Sequence, residues 1–153
     1  MDSNLGIYFG ASISGGREHV EIYQKIVNHL KRYGNVLTEH IADKRLTSMG
    51  ETELSDRLIH ERDMELLSKA KILTAEVTQA SLGVGYELGR IDERNLWVPK
   101  DARKNILCLY QPQINKRLSA MIKGSSGINN AEYRSLEEAF YEIDKFFHSL
   151  KGN

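Results

Sequence analysis

The sequence predicts an α/β domain, a parallel sheet with helices on both faces. Three observations carry this reading. Short apolar runs alternate with segments whose apolar residues recur every three or four positions. With 41% hydrophobic and 27% charged residues, the 153-residue chain has globular proportions and enough length for one core in one domain, 1–153. The glycine- and serine-rich stretches follow the apolar runs, and open α/β sheets bind ligands beyond the carboxyl ends of their strands.

The elements follow in order. Leu5–Phe9 is a first strand that stops at Gly10, and Ala11–Gly16 is a loop of small residues. Val20, Tyr23, Ile26, Val27 and Leu30 mark an amphipathic helix, with Gly34 placed as its terminal glycine. Asn35–Thr38 is a second short strand, and Ile41–Thr52 is polar and aperiodic, a loop. Leu54, Leu58, His60, Met64 and Leu67 fit a second helix, with Lys69 and Lys71 near its negative end. Ile72–Val77 is a third strand. A third helix opens at Gly83–Gly89 and runs into the 90s, and Ile106–Tyr110 is a fourth strand. Leu136, Ala139, Phe140, Ile143, Phe146, Phe147 and Leu150 form a closing amphipathic helix. There is no internal repeat.

Composition excludes several classes of function. Twenty-one basic and 21 acidic residues cancel, so the basic excess of a nucleic-acid or membrane-surface binder is absent. The single cysteine, Cys108, excludes an internal disulfide and a multi-cysteine zinc site, and its apolar surroundings mark a buried thiol. No run approaches the ~18 apolar residues of a membrane span. Met1–Asn4 lacks a secretion signature, so the chain reads as soluble and intracellular. The charged stretch Pro99–Lys104 reads as a solvated connection, and His19, His29 and His148 as surface residues.

Four stretches carry residues suited to chemistry. The loop Ala11–Arg17 combines glycines, Ser12 and Ser14 ahead of a helix N-terminus, which fits an anion site or a tight turn. Glu87 lies among Gly83, Gly85 and Gly89 past the third strand. It reads as a carboxylate facing a ligand or as one that complements the helix dipole. His60 and Asp63 share a helix face without forming a metal motif. His40 follows the second strand and is placed to reach the cleft. Ser119 follows the fourth strand as a cap or surface residue.

Taken together and in order, these stretches resemble one family. The segments are Tyr8–Arg17, Tyr33–His40, Ile59–Asp63, Ala75–Arg90, Ile106–Tyr110 and Leu118–Ile122. They are similar to the 2′-deoxynucleoside 5′-phosphate N-hydrolase (Rcl protein) family, a branch of the nucleoside 2-deoxyribosyltransferase superfamily. The resemblance covers about Leu5 to Phe147. It implies a flavodoxin-like doubly wound parallel sheet. It also implies hydrolysis of a deoxynucleotide's N-glycosidic bond, with no metal and no organic cofactor. Glu87 matches the nucleophile, Asp63 the group that assists the leaving base, and Tyr8 the tyrosine beside sugar and nucleophile. Ser12, Ser81 and Ser119 match serines that hold the 5′-phosphate, the last donated across a homodimer interface. Ala11, Ile13, Ser14, Gly15, Gly16, Arg17, Gly83, Ala120 and Met121 complete the implied substrate contacts, and His40 lies near the base. A cytoplasmic and nuclear location is implied as well.

Those residue types suit the reaction. Cleaving an N-glycosidic bond builds positive charge on the sugar, which a carboxylate under C1′ stabilises and traps. A second carboxyl protonates the departing base, so Glu87 is expected ionised and Asp63 at least partly protonated. Two departures stand out. Ser14 occupies a position where the family carries arginine, and Ile91–Asn105 is longer than the family's helix-to-strand link. Competing expectations are a deoxyribosyltransferase, a ribonucleotide hydrolase of the cytidine monophosphate type, and a nucleotide-sensing module without turnover.

Overall fold

The structure is a computed structural model and describes residues 4–13, 16–38 and 54–151. In chain order it contains β1 (Gly6–Ala11), α1 (Gly16–Leu30), β2 (Asn35–Val36), α2 (Asp56–Lys69), β3 (Ile72–Glu76) and α3 (Leu82–Trp97). After a 3-10 turn at Lys100–Ala102 come β4 (Asn105–Tyr110), α4 (Ala120–Lys123), β5 (Asn129–Glu132) and α5 (Leu136–Lys151). The five strands are all parallel in the order β2-β1-β3-β4-β5. That is the doubly wound, flavodoxin-like arrangement.

Alternation along the strands divides the core. Ile7 and Phe9 on β1 pack with Tyr23, Ile26 and Leu30 of α1 and with Ile143 and Phe147 of α5. Tyr8, between them, points to the other face with Leu67 of α2 and Val84, Leu88 and Ile91 of α3. Each fully buried aliphatic or aromatic side chain contributes about 1.5–3 kcal/mol. The helices after β1 and β3 therefore lie on opposite faces, and a crevice opens between the carboxyl ends of these neighbouring strands.

Several expectations are corrected. β5 escaped notice because Asn129-Asn130-Ala131-Glu132 is an edge strand with one buried residue and no apolar run. β2 ends at Val36, because Thr38 uses its side chain where a ladder would use backbone: its Oγ1 accepts from Phe9 N at 2.8 Å and donates to Phe9 O at 2.7 Å. On α2 only Leu67 is buried, and Leu58 is half exposed. Gly34 serves close approach: a methyl there would collide with the Leu5 carbonyl. The long link resolves as an extension of α3 to Trp97.

Two polar side chains expected at the surface are buried. His29 on α1 stacks on Phe140 with ring centroids 4.3 Å apart and meets Asp144 Oδ1 at 2.6 Å. Lys104 turns inward, and its ammonium donates to the carbonyls of Ser68, at 2.8 Å, and Ala70, where α2 ends. Cys108 is buried, as its apolar run implied. Among the described residues no helix is long and apolar enough to cross a membrane.

Candidate active site

Tyr8 and Glu87 meet over the β1–β3 crevice. β1 carries Tyr8 into the face shared with α3, and Glu87 sits in the second turn of that helix. Ser81 caps α3, its Oγ accepting from Val84 N at 3.3 Å, and so fixes where the helix starts. Tyr8 donates to Glu87 Oε1 at 2.5 Å. Gly10 lies beneath the carboxylate: a methyl there would stand 3.0 Å from Glu87 Oε2 and 3.7 Å from Val84 Cγ2. The glycine that makes room for the acid is therefore Gly10. Gly85 and Gly89 face open space.

Asp63, on α2, completes the group. It pairs with Arg62, whose Nη2 and Nε lie 2.8 and 2.9 Å from Asp63 Oδ1. Burial pushes the Glu87 carboxyl up to about 7; the Tyr8 hydrogen bond opposes this, and the Asp63 charge adds to it. The Tyr8 hydroxyl is raised far above its ordinary value by burial and by the charge and hydrogen bond of Glu87, so Tyr8 remains a donor at any working pH. A Glu87 carboxyl raised to about 7 is partly protonated near neutral pH, where the sequence reading expected it ionised. Asp63 has a guanidinium at its side.

A cavity of about 690 Å³ adjoins this group. Ser81, Gln79, Val84 and Gly85 line one side, and Lys116, Arg117, Ser119 and Met121 another. Tyr8, Asp63 and Glu87 do not line it; Val84 bridges the two regions. Ser119 precedes α4 and makes no side-chain cap, so its hydroxyl is exposed at the cavity rim. Ala120 opens α4 beside it, and Gly83 sits next to the cap of α3. Ser12 and Ala11 are buried at the end of β1, and Ile13 is half buried. Ser14, Gly15, His40 and the side chain of Arg17 lie outside the described residues, as does the expected loop of residues 41–52. His60, in the polar face of α2, lies 3.3 Å from the Tyr86 hydroxyl.

One buried acid was missed. Glu76 is 1% exposed at the end of β3, where its carboxyl accepts from Thr78 and Tyr133. The available signal was an acidic residue inside an otherwise apolar strand. Among the described residues no group of three or more His, Cys, Asp or Glu is placed to hold a metal ion.

The model of the nucleoside 2-deoxyribosyltransferase family matches residues 7–111. The 5-hydroxymethyl-dUMP N-hydrolase of Danio rerio is 44% identical over 151 residues, covering 97% of this chain and 100% of its own. The Homo sapiens protein of the same name is 46% identical over 146 residues, covering 94% of this chain and 79% of its own. In fold, the chain is similar to the CMP N-glycosidase BcmB of Clostridium botulinum, with a TM-score of 0.64 at 14% identity over 92% of this chain and 98% of that one. With the parallel sheet, the β1–β3 crevice and these matches in hand, the chain belongs to the nucleoside 2-deoxyribosyltransferase family.

Proposed function

We propose that the protein is a hydrolase of the N-glycosidic bond in 2′-deoxynucleoside 5′-monophosphates, releasing a free base and 2-deoxyribose 5-phosphate. One domain spanning residues 1–153 does the chemistry. The observation that carries the reading is the Tyr8–Glu87 hydrogen bond in the ligand crevice of a chain whose relatives are named 5-hydroxymethyl-dUMP N-hydrolases.

Glu87 attacks C1′ in its ionised form. A bond forms from its carboxylate oxygen to C1′ while the bond to the base nitrogen breaks, and the electron pair leaves with the base. Asp63 supplies the proton that the departing base takes up. Water then attacks C1′, its proton returns to Asp63, and Glu87 is released as a carboxylate. Two displacements retain the anomeric configuration. Tyr8 holds the attacking carboxylate in place by its hydrogen bond. Arg62 anchors Asp63.

Ser12, Ser81 and Ser119 hold the 5′-phosphate, with Ala11, Ile13, Ser14, Gly15, Gly16 and Arg17, the stretch from the end of β1 to the start of α1, completing its contacts. The free amides at the starts of α1 and α3 favour an anion there. Gly83, Ala120 and Met121 line the approach, and His40 lies near the base. The working unit is a homodimer. Leu82 and Met121 at the cavity and Ile114 nearby are 96%, 85% and 92% exposed, and a second copy would bury them. Seated there, it would bring its own Ser119 to this cleft. The reading places the enzyme in the cytoplasm and nucleus.

The test is a panel of deoxy- and ribonucleoside monophosphates with product chromatography. The expected products are base plus 2-deoxyribose 5-phosphate. Transfer of the sugar to an added free base, or cleavage confined to ribonucleotides, would overturn the assignment.

A further inference from the structure

A second cavity, of about 520 Å³, opens between α2 and α3, away from the proposed chemistry. Leu67 and Ile91, both buried, give it apolar walls, and Arg90, Glu93, Arg94 and Lys104 bring charge to it. Tyr8, Asp63 and Glu87 do not line it. Lys104 immediately precedes β4, whose first residue pairs with the first residue of β3, so this cavity reaches the amino ends of the strands. The crevice lies beyond their carboxyl ends. Roughly 10 Å of helix rise separates Arg94 from Glu87 on α3.

The three cations lack counter-ions. Lys104 is 7% exposed, and its ammonium donates only to carbonyls, those of Ser68 at 2.8 Å and of Ala70. Arg94 donates to the Ala102 carbonyl and Arg90 to the Tyr86 hydroxyl, each at 3.0 Å. Among the described residues no carboxylate forms an ion pair with any of the three. The acids nearby are engaged elsewhere: Glu61 with Arg57, Glu65 with Lys69, and Glu93 with the indole of Trp97. Burial, and then the charges of Arg94 and Lys71, press the Lys104 ammonium below its ordinary value. In a chain whose 21 basic and 21 acidic residues cancel, this is a local positive excess around a buried charge. An anion in the cavity would offset its cost.

An exposed aromatic adjoins the cluster. Trp97 is 78% exposed and lies on the α3 face of Arg90 and Arg94, seven and three residues behind it. Its indole donates to the cavity-lining Glu93 at 2.7 Å. A flat ring beside three cations suits a heterocyclic base carried on a phosphate chain. Both Arg94 and Trp97 belong to the extension of α3, which the chemistry above does not use.

We infer that this cavity is a second nucleotide site, taking a nucleoside di- or triphosphate whose phosphates meet Arg90, Arg94 and Lys104 and whose base lies on Trp97.

The experiment titrates the full chain with ATP and, separately, with inorganic pyrophosphate. It is read by calorimetry and by the fluorescence of Trp97, the only tryptophan. ATP should quench Trp97 and bind about fivefold or more tighter than pyrophosphate, because the stacked base adds to the phosphate contacts. Arg94→Gln changes an exposed side chain and should weaken both ligands about tenfold or more. Lys104→Met should do the same; it also removes contacts at the end of α2, so Arg94→Gln decides the matter if that variant does not fold. Trp97→Ala should weaken ATP about fivefold or more and leave pyrophosphate within about twofold. Arg94→Gln and Trp97→Ala should hydrolyse a deoxynucleoside monophosphate within about twofold of wild type. No ATP binding, equal affinity for ATP and pyrophosphate, or hydrolysis lost in step with binding would overturn the inference. So would an unchanged ATP affinity in Arg94→Gln, the result expected if ATP bound in the crevice instead. The binding measurements stand whether or not the reaction proposed above is the right one.

Discussion

Tyr8 donates its phenolic hydrogen to Glu87 Oε1 at 2.5 Å, joining residues 79 positions apart in the sequence. The bond works against burial, which pushes the Glu87 carboxyl up to about 7. In the proposed reaction only the ionised carboxylate attacks. The acid limb of kcat/KM should therefore rise with pH through about 7, and because the departing base also needs a proton the whole profile should be bell-shaped. Tyr8→Phe removes the group that lowers the Glu87 value, so the midpoint should move upward. The maximum should also fall about 10–100-fold, the equivalent of one hydrogen bond to a charged group. A Tyr8→Phe enzyme with an unmoved midpoint would break the link between the two residues.

The same shift makes a stability prediction. A carboxyl raised in the folded state favours the fold while it is protonated, and that contribution is lost as pH rises through its folded value. The window runs from about 4.5 upward, with the loss complete above about 7. Glu87→Gln should thus be more stable than wild type at pH 8, by about 1–3 kcal/mol, and nearly equal to it below pH 4. Its turnover should be almost abolished, while the wild-type enzyme quenched during turnover should carry a deoxyribose-phosphate adduct on Glu87. Asp63→Asn should be hurt least on substrates whose base leaves easily. Unfolding curves at the two pH values and mass spectrometry read these outcomes. An adduct on another residue would reassign the nucleophile.

A second ionisable cluster joins α1 to α5, away from the crevice. Asp144 accepts from the hydroxyl of Tyr33 and meets His29 at 2.6 Å, with His29 stacked on Phe140 and Tyr33 on Phe147. Burial raises the Asp144 carboxyl, but the Tyr33 and His29 contacts together outweigh it and hold it below the usual value. A depressed carboxyl stabilises above its unfolded value, and the contribution fades as pH falls through its folded one. Asp144→Asn should cost about 1 kcal/mol near neutrality and nothing below the carboxylate range, with kcat unchanged. Denaturant melts across pH measure it.

What was legible in the sequence was what repeats or clusters locally. Ile7, Phe9, Leu107 and Leu109 alternate with the opposite face, and the spacing of Val20 to Leu30 marks a helix that buries Tyr23, Ile26, Val27 and Leu30. Glu87 stood out because glycines surround it in the chain. Its relation to Tyr8 depends on the β1–β3 pairing, which no local pattern encodes; the family resemblance placed the two together. The inward turn of Lys104 follows from α2 ending beside it, and the burial of His29 from α5 packing on α1 over a hundred residues later. β5 has no apolar run, because an edge strand held by Leu107–Tyr110 on one side needs only Ala131 inside.

The dimer makes the last prediction, because it decides which chain's Ser119 serves which site. In one chain Ser119 lines the cavity with Ser81, while the homodimer reading has it donated by the neighbour. Glu87→Ala and Ser119→Ala chains should each lose most activity as homodimers. When they are mixed equally and allowed to exchange, about half of the dimers pair one of each, by random assortment in a two-fold assembly. In such a dimer the Glu87 of the Ser119→Ala chain faces the Ser119 of the Glu87→Ala chain. One of its two sites is therefore intact, and the mixture should recover about a quarter of wild-type activity. Activity after exchange, with heterodimer formation followed by native mass spectrometry, measures this. No recovery despite proven exchange would assign Ser119 to the cleft of its own chain and remove the need for a shared site.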